Sequence, residues 1–378
     1  MDTIDIDKNE ALELGMSFVG DEWKTLKEDD IAITSLRGGY SGRLIIVEDV
    51  SKTCHDNPNK KFLVRLYGGK LVDKNDIVKA GKCETSEGLV FYANGLNGLG
   101  PKLLGVFEGG RVEEFVPSHR LSEKDLVDPR LSMELARKLA RFHALKLPVS
   151  KKRRDLLAVS GIYQDQYNKE NLMKIIKEFS LSAEECTLLE ESYHNDHKLL
   201  RSFESKVGGR IVFCHGDLNK NNILVRDTPD QFNERIMLID YELAATDYRG
   251  VDLSALLLNR MYEMKENGEF FQICEWPDYE YRRLIATEYL NETKKLNYFE
   301  FDENGVDSLD HVMMEIDFFV MYGLQFFIGF MKKMTNSDYC FKIPAAAMQS
   351  FFGFRAVEAL YISSKKNFLE KYSESLID

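Results

Sequence analysis

Between Phe213 and Leu224 the chain reads Phe-Cys-His-Gly-Asp-Leu-Asn-Lys-Asn-Asn-Ile-Leu. Inside lies the frame His215-x-Asp217-x-x-x-x-Asn222, and Asp240 closes the expected strand 235–239 downstream. These types in this order suit phosphoryl transfer, in which the protein aligns a hydroxyl, accepts its proton and stabilises charge on the phosphate oxygens. Asp217 is the candidate base, because a carboxylate within hydrogen-bond reach of an acceptor alcohol both orients it and takes its proton. Asn222 and Asp240 offer the hard oxygens that Mg2+ prefers, and Mg2+ keeps water and substrate phosphates in the rest of its shell. Asn219, inside the loop, is grouped with the nucleotide-binding residues, as is Asp240. His215 reads as a brace beneath the loop rather than a base. Asp247 and Asp252 flank Tyr248-Arg249-Gly250-Val251 and read as structural, with Asp252 capping a helix that supports the loop.

Such a loop needs apolar strands on either side, and Ile211-Val212-Phe213 and Ile223-Leu224-Val225 supply them. Further upstream, runs rich in β-branched or large apolar residues predict strands over 31–36, 44–48 and 62–67. Leu36-Arg37-Gly38-Gly39-Tyr40-Ser41-Gly42 joins the first two strands and leads into Arg43. Its glycines let backbone N–H groups approach phosphate oxygens closely. Gly-Gly in a hairpin is by itself only a turn; its place upstream of the catalytic segment supports the nucleotide reading. Arg65, in the third strand, is expected to face the α and β phosphates, oriented by Glu87, or by Glu84, from a helix over 79–95. A second hairpin is predicted over 103–107 and 111–116, ended by Pro117, which has no amide to donate. Helical patterns then cover 132–145, 166–179, 183–207, 253–266, 279–295, 311–334 and 345–372. The expected class is α+β, with a small β-rich lobe over 1–116 and a larger helical lobe over 117–378. That is a protein-kinase-like arrangement.

At 378 residues the chain can bury the core of a two-lobed enzyme. Its hydrophobic and charged fractions, 44% and 30%, are those of a soluble globular protein. A net charge of −12 argues against nucleic-acid and anionic-membrane partners, which reward lysine and arginine. Lys151-Lys152-Arg153-Arg154 is the one dense basic cluster, and a solvated turn is its plain reading. Six scattered cysteines, without C-x-x-C or metal-ligand spacing, fit free thiols in a reducing compartment. The acidic N-terminus lacks the regions of a signal peptide, and the apolar stretch 318–330 is too short to span a bilayer. A cytoplasmic protein without stable membrane insertion is expected.

At these residues the chain resembles the choline/ethanolamine kinase family, from about residue 31 to 255 and more loosely through the C-terminal helices. Arg37-Gly38-Gly39-Tyr40-Ser41 resembles that family's phosphate loop, and Phe62-Leu63-Val64-Arg65-Leu66-Tyr67-Gly68 its strand with a nucleotide-binding arginine. Leu99-Gly100-Pro101-Lys102-Leu103 and Glu114-Phe115-Val116-Pro117-Ser118-His119-Arg120 are similar to the segment leading into its hinge, whose backbone meets adenine. The catalytic stretch, Ile239-Asp240-Tyr241-Glu242 and Asp247–Asp252 complete the match. The resemblance implies ATP- and Mg2+-dependent phosphorylation of choline or ethanolamine on the way to phospholipids, and a possible homodimer. The departures fall in the acceptor half. A quaternary ammonium is held by aromatic faces and a nearby carboxylate, for which the family uses tryptophans of a late helix and a glutamate. Here the helix reads Tyr322-Gly323-Leu324-Gln325, the glutamate position holds Asn259, and Leu243 replaces an aromatic residue. Tyr322, Tyr262 and Phe341 remain as cage candidates and Glu242 as a carboxylate. Three readings stand: a choline kinase that also accepts ethanolamine, a kinase for ethanolamine or another small acceptor, and a nucleotide-binding regulatory protein without useful turnover. Retention of Asp217, Asn222 and Asp240 speaks against the third.

Overall fold

Along Lys61–Tyr67 burial alternates residue by residue, with Phe62, Val64 and Leu66 fully or almost fully enclosed. This period of two is that of a strand with one face on a core, and it leaves Arg65 on the other face. The strand belongs to a computed structural model that describes residues 6–36, 42–51, 60–67, 84–155, 194–264, 270–272, 278–335, 360–374 and 376. Two compact units divide the chain: Met1–Arg120 with Ile223–Leu243, and Leu121–Asn222 with Ala244–Asp378.

In chain order the first unit supplies helix α1 (Lys8–Phe18), strands β1 (Ile31–Leu36), β2 (Gly42–Asp49) and β3 (Lys61–Tyr67), then helix α2 (Glu84–Leu96). Strands β4 (Leu103–Phe107), β5 (Gly110–Glu114) and β6 (Ser118–Arg120) follow. The second unit begins with a one-turn helix, Glu123–Leu126, followed by helices α3 (Pro129–His143) and α4 (His194–Val207) and strand β7 (Ile211–Cys214). Strands β8 (Ile223–Arg226) and β9 (Ile236–Leu238) belong to the first unit again. The second unit is completed by strand β10 (Ala245–Tyr248), helices α5 (Arg249–Met261), α6 (Tyr279–Leu296) and α7 (Leu309–Thr335), and helix α8 over 360–374.

In the first unit, five antiparallel strands run in the order β1-β2-β3-β5-β4. The inner face buries Ile31, Ile45, Val47, Phe62, Val64 and Val112 against α1 and Trp23, whose indole meets Phe62 edge-on at 4.9 Å. Trp23 is thus a core residue. A second sheet, β6-β8-β9, explains why Ile223–Leu243 joins this unit: Ser118 pairs with Arg226 and Ile223 with Leu238. An interval between β5 and β6 fits the expected break at Pro117.

In the second unit α3 lies against α6, with Arg137–Glu288 at 2.8 Å and Arg141–Glu292 at 2.6 Å across the contact, and α5 packs on α7. Asp128 caps α3 by accepting from the Arg130 amide at 2.9 Å, with Pro129 in the first turn. One expectation is corrected here. The helix expected over 253–266 stops at Met261, and Tyr262–Met264 instead pairs antiparallel with Phe270–Gln272. Tyr262, Phe270 and Phe271 are of types that favour a strand, and backbone pairing between the two segments replaces the helical pattern. Of the helices expected over 79–95, 183–207 and 345–372, residues 84–96, 194–207 and 360–374 are helical; the remaining stretches, and 166–179, lie outside the described residues.

Candidate active site

The loop between β7 and β8 holds the frame picked out in the sequence. Asp217 is half-buried, and two amides grip its carboxylate: Asn219 Nδ2 donates to Oδ1 and Asn222 Nδ2 to Oδ2, each at 2.9 Å. Asn222 Nδ2 also donates to the Asp217 backbone carbonyl at 2.9 Å. Five residues of separation therefore close into a tight ring, in which Asn222 locks the base candidate while its own Oδ1 is left as the oxygen suited to a cation. Lys220, next along, is paired with Glu123.

Beneath the loop, α5 provides the brace that the sequence suggested at Asp252. Its fully buried carboxylate accepts from the His215 amide at 2.6 Å, the Gly216 amide at 2.9 Å and His143 Nε2 at 3.0 Å. His143 Nδ1 meets the Tyr289 hydroxyl at 2.8 Å, so Nε2 carries the proton toward Asp252 and Nδ1 accepts from the phenol. Burial alone would raise the Asp252 pKa, but the His143 hydrogen bond, with His215 and the Gly216 amide, holds it below the ordinary carboxylate range. Gly216 has φ 79°, a left-handed conformation that glycine adopts without strain. His143, Cys214 and Asp252 lie close enough to share a metal ion. With both imidazole nitrogens engaged and the Cys214 thiol donating to the Tyr248 carbonyl at 3.3 Å, they form a hydrogen-bonded brace instead. Burial pushes that thiol's pKa well up.

In the first unit Arg65 has a different partner from the one expected. Glu87 bonds Arg111 at 2.9 Å, whereas Arg65 Nε lies 3.3 Å from Glu113 Oε1. Glu113 also accepts from Arg111 Nε at 2.7 Å. The cause is register: Arg65 and Arg111 stand directly opposite each other on β3 and β5. Glu113, two residues further along β5, shares their face and bridges the pair, and Glu87 supplies the second negative charge at Arg111. Arg111 is fully buried, 4.5 Å over the Phe91 ring, which gives the helix glutamate a nearer cation. Sequence reasoning passed over Arg111 and Glu113; an Arg-x-Glu spacing on a strand was the available signal.

The hinge candidates follow from the end of β5. Glu114 and Lys102 are joined reciprocally, the Glu114 amide to the Lys102 carbonyl at 2.9 Å and the Lys102 amide to the Glu114 carboxylate at 3.0 Å. Phe115 lies under Lys61 Nζ, Val116 accepts from the Ser118 hydroxyl at 2.9 Å, and Pro117 accepts from the Asp227 amide at 3.0 Å. His119 and Arg120 are exposed on β6, and His119 is 3.8 Å from Asp227. Arg43 is half-buried on β2, opposite Leu66. After β9, Asp240 takes φ 65°, an uncommon conformation for a side chain with a Cβ and one concentrated at functional positions. Tyr241 fixes this corner: its hydroxyl donates to the Leu238 carbonyl and its ring meets Phe91 at 6.0 Å. Gly100 makes room, since a Cβ there would meet the Leu238 oxygen at 2.6 Å and the Tyr241 hydroxyl at 2.7 Å. Glu242 is half-buried beside it. Arg37, Gly38, Gly39, Tyr40 and Ser41 lie outside the described residues; Gly42 opens β2.

Two further expectations change, one on the acceptor side and one at the basic turn. Tyr322 is 1% exposed, packed against Phe318 and Phe319, with its hydroxyl 3.3 Å from Glu204 Oε1. It is a core residue of α7 rather than the wall of an open cage, because helical spacing turns it onto the buried face. The basic cluster is only half solvated. Lys151 and Lys152 are exposed, but Arg153 bonds Glu204 at 2.7 Å and Arg154 lies 3.5 Å from the buried Asp247. Asn259 is likewise buried, with its amide donating to the Leu218 carbonyl at 2.8 Å. Phe341 and the Tyr262 side chain lie outside the described residues.

A β-sheet unit with a cross-strand arginine pair, and a helical unit whose loop clamps an aspartate with two asparagines, define an α+β phosphotransferase of protein-kinase-like fold. The family model for choline/ethanolamine kinase matches residues 33–349. The chain belongs to that family. It is 29% identical over 326 residues to choline kinase alpha of Mus musculus, covering 80% of this chain and 70% of that one. It is 29% identical over 285 residues to a choline/ethanolamine kinase of Rattus norvegicus, covering 74% and 68%. A crystal structure of choline kinase from Cryptosporidium parvum shares the fold with a TM-score of 0.68 at 18% identity, covering 98% of this chain and all of the other. Among the described residues no helix is long and apolar enough to cross a membrane.

Proposed function

We propose that the protein transfers the γ-phosphoryl group of ATP to the hydroxyl of choline, and also of ethanolamine, in the cytoplasm, feeding phospholipid synthesis. The observation that carries this reading is the Asp217 carboxylate, held by the Asn219 and Asn222 amides within a chain that a choline/ethanolamine kinase model matches over most of its length. The acceptor hydroxyl oxygen attacks the γ-phosphorus, the bond to the ADP oxygen breaks, and the hydroxyl proton passes to Asp217. Arg65 is assigned to the nucleotide phosphates, with the glycine-rich segment 37–42 and Arg43, and Asn219 and Asp240 to the same nucleotide. The backbone of 114–120 is assigned to the adenine. Asn222 and Asp240 carry amide and carboxylate oxygens, a donor set that fits Mg2+. Bound there, the ion would neutralise charge on the phosphate oxygens. Glu242 is the carboxylate assigned to the acceptor's cationic nitrogen.

Release of ADP by the purified protein with Mg-ATP, against choline and ethanolamine separately, tests this. Choline- and ethanolamine-dependent turnover is expected, with kcat lower by about 10²–10⁴-fold in Asp217→Asn. Mg-ATP binding without turnover on either acceptor would overturn the reading, and equal turnover in Asp217→Asn would remove the base assignment. The buried Tyr322 and the neutral Asn259 favour one alternative, a kinase that prefers ethanolamine or another small amino alcohol. A kcat/KM for ethanolamine above that for choline would establish it.

A further inference from the structure

Asp252 and Asn259 lie seven residues apart on α5, two turns along one face. Both reach the same loop. Asp252 accepts the amides of His215 and Gly216, before Asp217 in the chain, and Asn259 Nδ2 donates to the carbonyl of Leu218, directly after it. The chemistry of each side chain matches what the backbone presents: a carboxylate for two N–H groups, an amide for a C=O. The contact is shielded, with Asn259 and Leu218 each 1% exposed, so water does not readily replace the bond. The first attachment point ends at Gly216, at φ 79°, a residue with wide backbone freedom. Without the Asn259 bond, α5 would hold the loop at its N-terminal side alone, and Asp217, together with its Asn219 and Asn222 partners, could swivel about Gly216.

We infer that Asn259 is a positioning residue for Asp217, the second point of a two-point clamp by which α5 sets the orientation of the base. The inference rests on the reading of Asp217 as that base. It also accounts for an amide where the family's pattern has an acid, since an ionised carboxylate has no proton to donate to Leu218. Asn259→Asp removes the donor at nearly constant shape, and Asn259→Ala removes it without burying a charge. Each variant is compared with wild type in kcat, in KM for ATP and in hydrogen exchange across 215–222. The expected result in both is a fall in kcat of about tenfold or more, because small misplacements of a catalytic group cost that much. KM for ATP should stay within about twofold, and exchange in 215–222 should quicken while the rest of α5 keeps its protection. Unchanged exchange in the folded Asn259→Ala protein would overturn the inference, as would activity that falls only in proportion to the folded fraction. Full turnover by Asp217→Asn would remove the base and leave the exchange result standing, so the two failures are distinguishable.

Discussion

Replacing Asp252 by asparagine changes one oxygen to an NH2 group at a point where three donors converge. Oδ2 accepts from the His215 amide and from His143, and Oδ1 from the Gly216 amide. The best placement of the new side chain keeps its oxygen on the first two and turns its NH2 toward the Gly216 N–H. One charge-assisted bond, of about 1.5–3 kcal/mol, is then lost, and two others weaken to neutral strength at about 1 kcal/mol each. Burying one fewer charge offsets part of this, leaving a net loss of about 2–3 kcal/mol. In a unit of roughly 150–250 residues that is a fall in Tm of about 5–10 °C. The pH dependence gives the sign. A carboxyl whose folded pKa is depressed contributes stability that is present above its unfolded value, near 3.9, and lost as pH falls through the folded one. The gap between wild type and Asp252→Asn should therefore be full at neutral pH and narrow below about pH 4. Thermal unfolding followed by fluorescence at several pH values, with kcat measured alongside, checks both. A Tm within about 1 °C of wild type at neutral pH, with kcat unchanged, would refute the claim that these bonds hold the loop. A gap that stays constant down to low pH would refute the role given to the charge.

Glu113→Gln removes the anion between two guanidinium groups that face each other across β3 and β5. We expect a loss of about 3 kcal/mol from breaking a buried ion pair and a several-fold rise in KM for ATP with kcat little altered; a folded variant with unchanged KM would show that Arg65 does not depend on Glu113. Asp247 gives the opposite pH sign from Asp252. Burial pushes its pKa up to about 6 against the pull of Arg154 and Arg153, so its contribution is present below its ordinary value and lost as pH rises through about 6. Asp247→Asn should thus gain stability relative to wild type between about pH 4 and 6, and a difference in Tm that is flat over that range would count against it.

The loop 215–222 could be picked out of the chain because its logic is local. Asp217, Asn219 and Asn222 are close in sequence, and their mutual hydrogen bonds need only a turn between two strands. Asp252 is a brace as expected, but not by capping its helix: α5 starts at Arg249, and Asp252, within the first turn, accepts from His215 and Gly216 more than thirty residues away in the chain. Arg65 and Glu87 show where such reading stops. Their expected pairing followed from element order, and it failed because β3 and β5 align Arg65 with Arg111, a fact of register that neither strand states alone. Membership of β8 and β9 in the first unit is of the same kind, since it depends on which strand edge β6 offers.

The acceptor side is harder for a physical reason. Aromatic residues at helical spacing serve a core and a cage equally well in sequence, and only burial separates them. Tyr322 falls on the core side, with its phenol on Glu204 and Glu204 in turn bound by Arg153 and Arg201. Two residues that looked independent, a cage candidate and a basic turn, thus belong to one buried polar cluster. Arg153 is drawn inward to pair, alongside Arg201, with the buried carboxylate of Glu204. Asn259 is drawn toward the loop in the same way, by a carbonyl that would otherwise lack a donor. What distinguishes this chain from its family's pattern is therefore more than the subtraction of aromatic and acidic groups from a choline pocket. At Asn259, where the family's pattern has an acid, stands an amide that donates to the Leu218 carbonyl of the loop carrying Asp217.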